Sequence, residues 1–458
     1  MIENVHIFSA IKTAIDNNTQ LSITKYDRNY NYVWISFINA YCSTTDCHYE
    51  LCWDRKQDHD GKHIYAEIHF ETEKGRTIFK KQSFKNPLKT FKRGTKNFGV
   101  CLDDNDIIIS DTADINDLAN VAITKIINLY DNSYLVLRNM QKTYQFINLL
   151  EENKNIILHG APGTGKTYLA HQIADTMMAA KVGFVQFHPS FDYTDFVEGL
   201  RPVSSNSQNA EELNERIGFN RQDGIFKAFC VEAFNAAKKN GDKDKPKYVF
   251  IIDEINRGEI SKIFGELFFS IDPGYRYLFD DKEQENNKRK VFTQYQNLIV
   301  DTKDPFKDGF FVPENVYLIG TMNDIDRSVE SMDFAFRRRF TFVEITATDT
   351  QSMLDDKKAW KDNMPKPNVI AKIKEVMNAL NDAIWNETTH SGIEGLSSSF
   401  HIGAAYFLKL KDGNFQKLWN YHLKGLLREY LRGIDEDGSK FKEIEDQYNK
   451  AAGIKQNE

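Results

Sequence analysis

From residue 155 onward, short apolar runs recur between stretches with helical spacing. They are IILH (156–159), GFVQF (183–187), YVFII (248–252), VYLIG (316–320) and FTFVEI (340–345). Brief uninterrupted apolar runs are strands buried on both faces, and helical crossovers between them make neighbouring strands parallel. The pattern predicts a parallel five-stranded sheet flanked by helices across residues 136–348, with 136–155 a helical approach segment and Thr167 to Ala180 a helix. Residues 204–215 are polar and read as a surface loop, and 280–290 (DDKEQENNKRK) as a charged loop. Residues 349–458 read as helical, a small lid followed by C-terminal helices. The first 135 residues differ. Tyr32–Phe37, Tyr49–Trp53 and His63–Phe70 alternate with period two, the mark of half-buried strands, and Asp60-Gly61 suits a hairpin turn. Helices are expected over Ile7–Asp16 and Asp114–Tyr130. The fold class is therefore α/β, preceded by an α+β N-terminal domain over 1–135.

Length and composition narrow the class. A chain of 458 residues exceeds one ordinary core, and 41% hydrophobic with 27% charged residues is a globular balance. No apolar stretch reaches the roughly 18 residues of a membrane span, and the first residues lack the basic-then-apolar order of a signal peptide. Five cysteines, an odd number, suit a reducing compartment, so a cytoplasmic location with no membrane partner is expected. Cys42, Cys47 and Cys52, with His48 among them, do not have a standard zinc spacing and read as strand cysteines. Glu50 and Glu67 lie on alternating strands, but their pattern alone builds no metal or nuclease site.

The chemistry concentrates at the ends of the predicted strands. Gly160-Ala161-Pro162-Gly163-Thr164-Gly165-Lys166-Thr167 fits G-x-x-x-x-G-K-[ST] between a strand and a helix that opens with Thr167 and Tyr168. Such a loop turns backbone N–H groups toward phosphates, and the helix N-terminus adds free donors. Lys166 is the expected β/γ-phosphate contact and Thr167 a Mg²⁺ ligand. The strand 248–252 ends in Asp253-Glu254, where Asp253 is the second expected metal ligand and Glu254 the residue that polarises the attacking water. The strand 316–320 leads to Asn323, placed to sense the γ-phosphate, with Asp326 close behind. Phe336-Arg337-Arg338-Arg339-Phe340 offers more arginine than one internal ion pair needs, which points to a finger reaching a neighbouring subunit.

In this order the chain resembles an AAA+ P-loop module, and more narrowly the McrB family, the motor subunits of modification-dependent restriction systems. The residues that carry the resemblance span roughly 150–410. They are Gln186 to Ser190, Tyr193 to Gly199, Asp253 to Gly258, Lys262 to Leu267, Gly320 to Ser328 and Phe334 to Phe340. The chain departs from the family pattern at Asp324-Ile325, where Thr-Ala is usual, and at Ile402-Gly403-Ala404-Ala405-Tyr406-Phe407, where IGHSYF is frequent. The resemblance implies GTP (or ATP) and Mg²⁺ as cofactors and a homo-hexameric ring with nucleotide between subunits. It also implies a separate McrC-like nuclease subunit and an N-terminal domain that recognises DNA. By the same resemblance Asn323 and Asp326 belong to a catalytic signature, and Arg337 and Arg338 are the arginines that act in trans. A MoxR-like ATPase that remodels protein complexes is the alternative.

Net charge is −7, yet residues 80–96 hold seven Lys or Arg and no acid, punctuated by Phe84 and Phe91. Basic residues interleaved with aromatics suit a nucleic-acid backbone, so Lys85, Lys89, Lys92, Arg93 and Lys96 are candidate DNA contacts; a solvated basic face is the competing reading. Tyr32, Trp34 and Trp53 could line a pocket for a flipped base, or fill a core.

Overall fold

The structure, a computed structural model, describes residues 3–19, 21–27, 29, 32–37, 47–53, 63–70, 88–93, 97–102, 107–109, 114–203, 218–240, 245–326, 334–357, 359–361 and 363–454. The Asp60-Gly61 turn, the 204–215 segment, Lys85, Lys96, Arg327 and Ser328 lie outside these. The chain divides into two compact units, Met1–Tyr144 and Gln145–Glu458.

The first unit pairs helix α1 (Asn4–Asp16) with an antiparallel sheet of β1 (Leu21–Tyr26), β2 (Tyr32–Phe37), β3 (Cys47–Cys52), β4 (His63–Phe70), β5 (Leu88–Arg93), β6 (Asn97–Leu102) and β7 (Ile107–Ile108). The sheet order is β1-β2-β3-β4-β6-β5, with β7 also on β4. One face of the sheet is apolar: Val33, Ile35, Tyr49, Leu51, Ala66 and Ile68 pack with Ile7, Ile11 and Ile15 of α1 and with Ala122, Ile126 and Leu129 of α2 (Ile115–Asn153). Trp53 belongs to that core, so it fills space and lines no base pocket. Asp114 starts α2 by accepting from the amide of Asn116 at 2.7 Å, a side-chain cap for an otherwise orphaned donor. The two helical segments expected at 114–130 and 136–155 are one uninterrupted helix, and the division between units falls within it. Lys89, Lys92 and Arg93 lie on β5, where the backbone alone is described.

The second unit is built on five parallel strands: β8 (Asn155–Gly160), β9 (Lys181–Gln186), β12 (Tyr248–Asp253), β13 (Val316–Asn323) and β14 (Thr341–Glu344), in the order β14-β8-β13-β12-β9. β8, β12 and most of β13 are buried, whereas the edge strands β9 and β14 alternate between partly covered and exposed positions. Helix α3 (Lys166–Thr176) follows β8 and stops short of the expected Ala180, because Met178 adopts φ 53° and the Ala179 amide turns back to the Ala174 carbonyl. Helix α4 (Ile225–Asn240) precedes β12. The 280–290 segment contains a short helix, Glu283–Asn287, anchored by buried Asn286, whose side chain both donates to and accepts from the Leu278 backbone.

An antiparallel hairpin not foreseen from the pattern, β10 (Glu198–Val203) and β11 (Gly218–Asp223), sits beside α4. Its base is an ion-pair hub. Glu198 and Lys227 are fully buried with a 2.6 Å contact, and Arg221 reaches Glu198 at 2.8 Å. Burial alone pushes the Glu198 carboxyl up, but hydrogen bonds from Lys227 and Thr293 and the Lys227 charge outweigh it and hold the group below the ordinary carboxylate range. The Tyr193–Gly199 and Lys262–Leu267 motifs meet here: the Tyr193 hydroxyl donates to Glu266 at 2.5 Å and accepts from the Gln294 amide at 3.2 Å.

Residues after Ala347 form a separate apolar cluster around Trp360, Trp419, Leu423 and Tyr448, organised by α5 (Pro367–Ile384), α6 (Lys424–Tyr430) and α7 (Ser439–Ala452). This is the helical lid. Among the described residues no helix is long and apolar enough to cross a membrane.

Removing Lys227 leaves a buried carboxylate with Arg221 as its remaining cation. Lys227→Ala is expected to destabilise the second unit by about 3–5 kcal/mol, measured by urea unfolding at pH 7. The loss should shrink as pH falls through the depressed Glu198 pKa, since that group's contribution is present above the unfolded value near 4.3 and disappears on protonation.

Candidate active site

Three adjacent strands, β8, β13 and β12, end at one edge of the sheet, with Asn323 level with Gly160 and Gly320 level with Ile252. Carboxyl ends of parallel strands open onto a crevice where ligands bind. Gly160 ends β8, Ala161, Pro162, Gly163, Thr164 and Gly165 make the loop to α3, and Lys166, Thr167 and Tyr168 form the first turn of α3. Glycine is required at two points. Gly160 has φ 142°, and a Cβ there would lie 2.4 Å from the Ile345 carbonyl oxygen; Gly163 has φ 72°, and its Cβ would strike the Tyr406 ring at 2.6 Å.

Lys166 is buried, and its ammonium donates to the carbonyls of Gly160 (3.1 Å) and Ala161 (2.7 Å) and to the Thr164 hydroxyl (3.2 Å). Burial drives its pKa down to about 8, opposed by the nearby carboxylates of Asp324, Glu254, Asp326 and Asp253. The Thr167 and Thr321 hydroxyls both donate to the same Asp253 oxygen at 2.6 Å. Glu254 has φ 52°, a left-handed backbone uncommon for a residue with a side chain. Its carboxylate accepts from the Asn323 amide at 3.0 Å and from Arg257 at 3.3 Å. Burial raises the Glu254 pKa most, with Arg257 pulling it down. Arg257 also donates to Asp326 at 3.0 Å.

The structure thus brings Lys166, Thr167, Asp253, Glu254, Asn323 and Asp326 into one cluster. Arg337 and Arg338 stand apart. Both are exposed at the end of a single helical turn, Phe334–Arg337, and among the described residues neither has a hydrogen bond or ion pair to the cluster. Arg337 rests over the Phe342 ring, 5.4 Å from its centroid. Arg339, by contrast, turns inward toward Asp272 and the Ala335 carbonyl.

Two further features complete the site. Arg257 clasps Glu254 and Asp326 together; the sequence placed it in the Asp253–Gly258 motif but gave it no role. The lid touches the phosphate loop through main-chain atoms: the Gly403 amide donates to the Pro162 carbonyl at 3.1 Å and the Ala405 amide to the Gly163 carbonyl at 3.0 Å. A Cβ on Gly403 would lie 2.1 Å from Gly163. Tyr168 adds a side-chain bond to Asp356 of the lid segment. Both departures from the family pattern have local partners. The Asp324 carboxylate accepts from His159 Nδ1 at 3.0 Å, and at Ala404 and Ala405 main-chain contact, not the side chain, makes the junction. Between loop and lid lies a cavity of about 470 Å³ lined by Pro162, Arg257, Asn323, Asp326, Tyr406 and Tyr430 among others.

The donor set fits Mg²⁺. Thr167 and Asp253 supply hard oxygen ligands 2.6 Å apart, and four carboxylates face two cations, Lys166 and Arg257, leaving negative charge that a divalent ion offsets.

Comparisons with known proteins agree with this geometry. Residues 155–340 match the AAA domain of the dynein-related subfamily. The chain is 38% identical over 269 residues to the type IV methyl-directed restriction enzyme EcoKMcrB subunit of Escherichia coli K12, covering 57% of this chain and 49% of that protein. It is 26% identical over 227 residues to the type II restriction enzyme BsuMI component YdiS of Bacillus subtilis 168, covering 45% of this chain and 61% of the relative. The chain therefore spans about half the length of the Escherichia coli relative. Residues 155–340 are an AAA+ domain, and the chain around it is similar to an McrB restriction subunit.

Proposed function

We propose that this protein is the nucleoside-triphosphate-hydrolysing motor subunit of a restriction complex, preferring GTP, assembling as a ring and working with a separate nuclease subunit on DNA. The observation that supports it most is the convergence of Lys166, Thr167, Asp253, Glu254 and Asn323 on the edge of one sheet. The relatives named for restriction activity support the cellular role, and guanine preference rests on the family resemblance.

In this reading Lys166 leaves its loop carbonyls to pair with the β- and γ-phosphates, and the loop amides take the remaining oxygens. Thr167 and Asp253 hold Mg²⁺, which when bound supplies charge neutralisation on the phosphate oxygens. Glu254 orients the attacking water and takes its proton; partial burial makes it a better base than an exposed carboxylate. Asn323 and Arg257 fix the Glu254 carboxylate and must release part of it for water to enter. Arg337 and Arg338, exposed and without an internal partner in the cluster, are the groups that complete the site of an adjacent subunit. Residues 1–144 act as the recognition unit, with Lys89, Lys92 and Arg93 on β5 as its DNA contacts.

The reading is tested by phosphate release from purified protein with GTP and with ATP, in the presence and absence of DNA. Glu254→Gln is expected to bind nucleotide normally and to lower turnover at least ~100-fold; equal turnover removes Glu254 from the mechanism. Arg337→Ala or Arg338→Ala should also bind but not hydrolyse, and mixing either with Lys166→Ala should restore part of the activity. Absence of rescue in every mixture rejects fingers in trans. Nucleotide affinity is expected to be level below pH 8 and to weaken by up to about tenfold per pH unit above it, because Lys166 must take up a proton to pair with phosphate. Equilibrium titration with a fluorescent nucleotide from pH 7 to 9.5 reads this, with Lys166→Arg giving a level profile.

A further inference from the structure

The first unit has a second, polar sheet face. β3 and β4 are paired so that His48 faces His69 and Glu50 faces Glu67. In an antiparallel pair, directly opposed residues project to the same side. All four are buried: Glu67 is 0% exposed and Glu50 2%. His48 contacts Glu50 at 3.0 Å, and His69 contacts Glu67 at 3.4 Å. Trp34, opposite Glu50 on β2, stacks on the His48 ring at 3.6 Å, and His48 in turn stacks near His69 at 5.1 Å.

Two carboxylates placed side by side out of water cannot both carry charge without a cation or proton between them. The ligand atoms of Glu50, Glu67 and His69 all lie within 4.8 Å of one another. Two atoms each about 2.0–2.2 Å from one ion are at most about 4.4 Å apart, so a side-chain shift of a few tenths of an ångström closes the set. Two carboxylates with an imidazole are a borderline donor set, suited to a divalent first-row transition ion rather than to Ca²⁺.

We propose that Glu50, Glu67 and His69 bind such an ion, zinc or manganese, as three protein ligands that tie β3 to β4 in the N-terminal unit and leave a further coordination position to water. His48, stacked on Trp34, orients Glu50 by hydrogen bonding. The site is separate from the nucleotide cluster and does not depend on the proposed motor function.

The test uses the full chain. After removal of metal with chelator and reloading with Zn²⁺ or Mn²⁺, elemental analysis following dialysis without nucleotide should find about one equivalent bound. Glu67→Gln and His69→Ala should each lose it, and Lys166→Ala should keep it. Should the buried variants not fold, Co²⁺ substitution of the unaltered protein provides the second measurement, where visible ligand-field bands without an intense thiolate charge-transfer band support the oxygen and nitrogen donor set. No retained metal in the unaltered protein overturns the proposal and leaves two His–Glu ion pairs. So does full retention in folded Glu67→Gln and His69→Ala, or a strong thiolate band, which would place the ion on cysteine.

Discussion

A lysine ammonium held out of water, ringed by carboxylates, is the interaction around which the second unit is arranged. Lys166 is stabilised by three hydrogen bonds to its own loop, yet burial still drives its pKa down to about 8. Four acids at the ends of two neighbouring strands, β12 and β13, counter that loss. None of these charges is affordable on an ordinary strand end; each is tolerated because the others are present. The parallel sheet makes the arrangement possible, since it delivers β8, β12 and β13 to one edge with their polar residues in register.

The same coupling orders the groups around Glu254. Its left-handed backbone lifts the carboxylate out of the strand direction, where Asn323 and Arg257 receive it. Arg257 also holds Asp326, so one guanidinium connects the end of β12 with the segment after β13. A carboxylate constrained by two donors on different elements is poised rather than free, and its release is linked to movement of either element.

Sequence was most informative where chemistry is written in consecutive residues. The phosphate loop, the Asp253-Glu254 pair and Asn323 each occupy a strand end, and five apolar runs located the strands to within a few residues. It was least informative where partners are distant or use main-chain atoms. The Gly403 and Ala405 amides carry no side-chain signature of their contact with Pro162 and Gly163. The Glu198 hub assembles from residues on a hairpin, α4 and a later segment, and the family motifs Tyr193–Gly199 and Lys262–Leu267 turn out to hold packing and buried polar contacts there. In the first unit, His48, Glu50, Glu67 and His69 did repeat with period two on successive strands. That alternation was visible as strand pattern, but register decides which residues face each other, and register is not read from one strand.

Joining the lid to the phosphate loop by peptide groups has a mechanical consequence. Hydrogen bonds between main chains at Gly163 and Gly403 have no rotatable side chain to absorb displacement, so any rearrangement of the loop around a terminal phosphate moves the lid as a lever. Helix α5 has 18 residues, an arm of roughly 27 Å at 1.5 Å per residue. A rotation of about 10° at that junction would displace the far end of such an arm by roughly 5 Å.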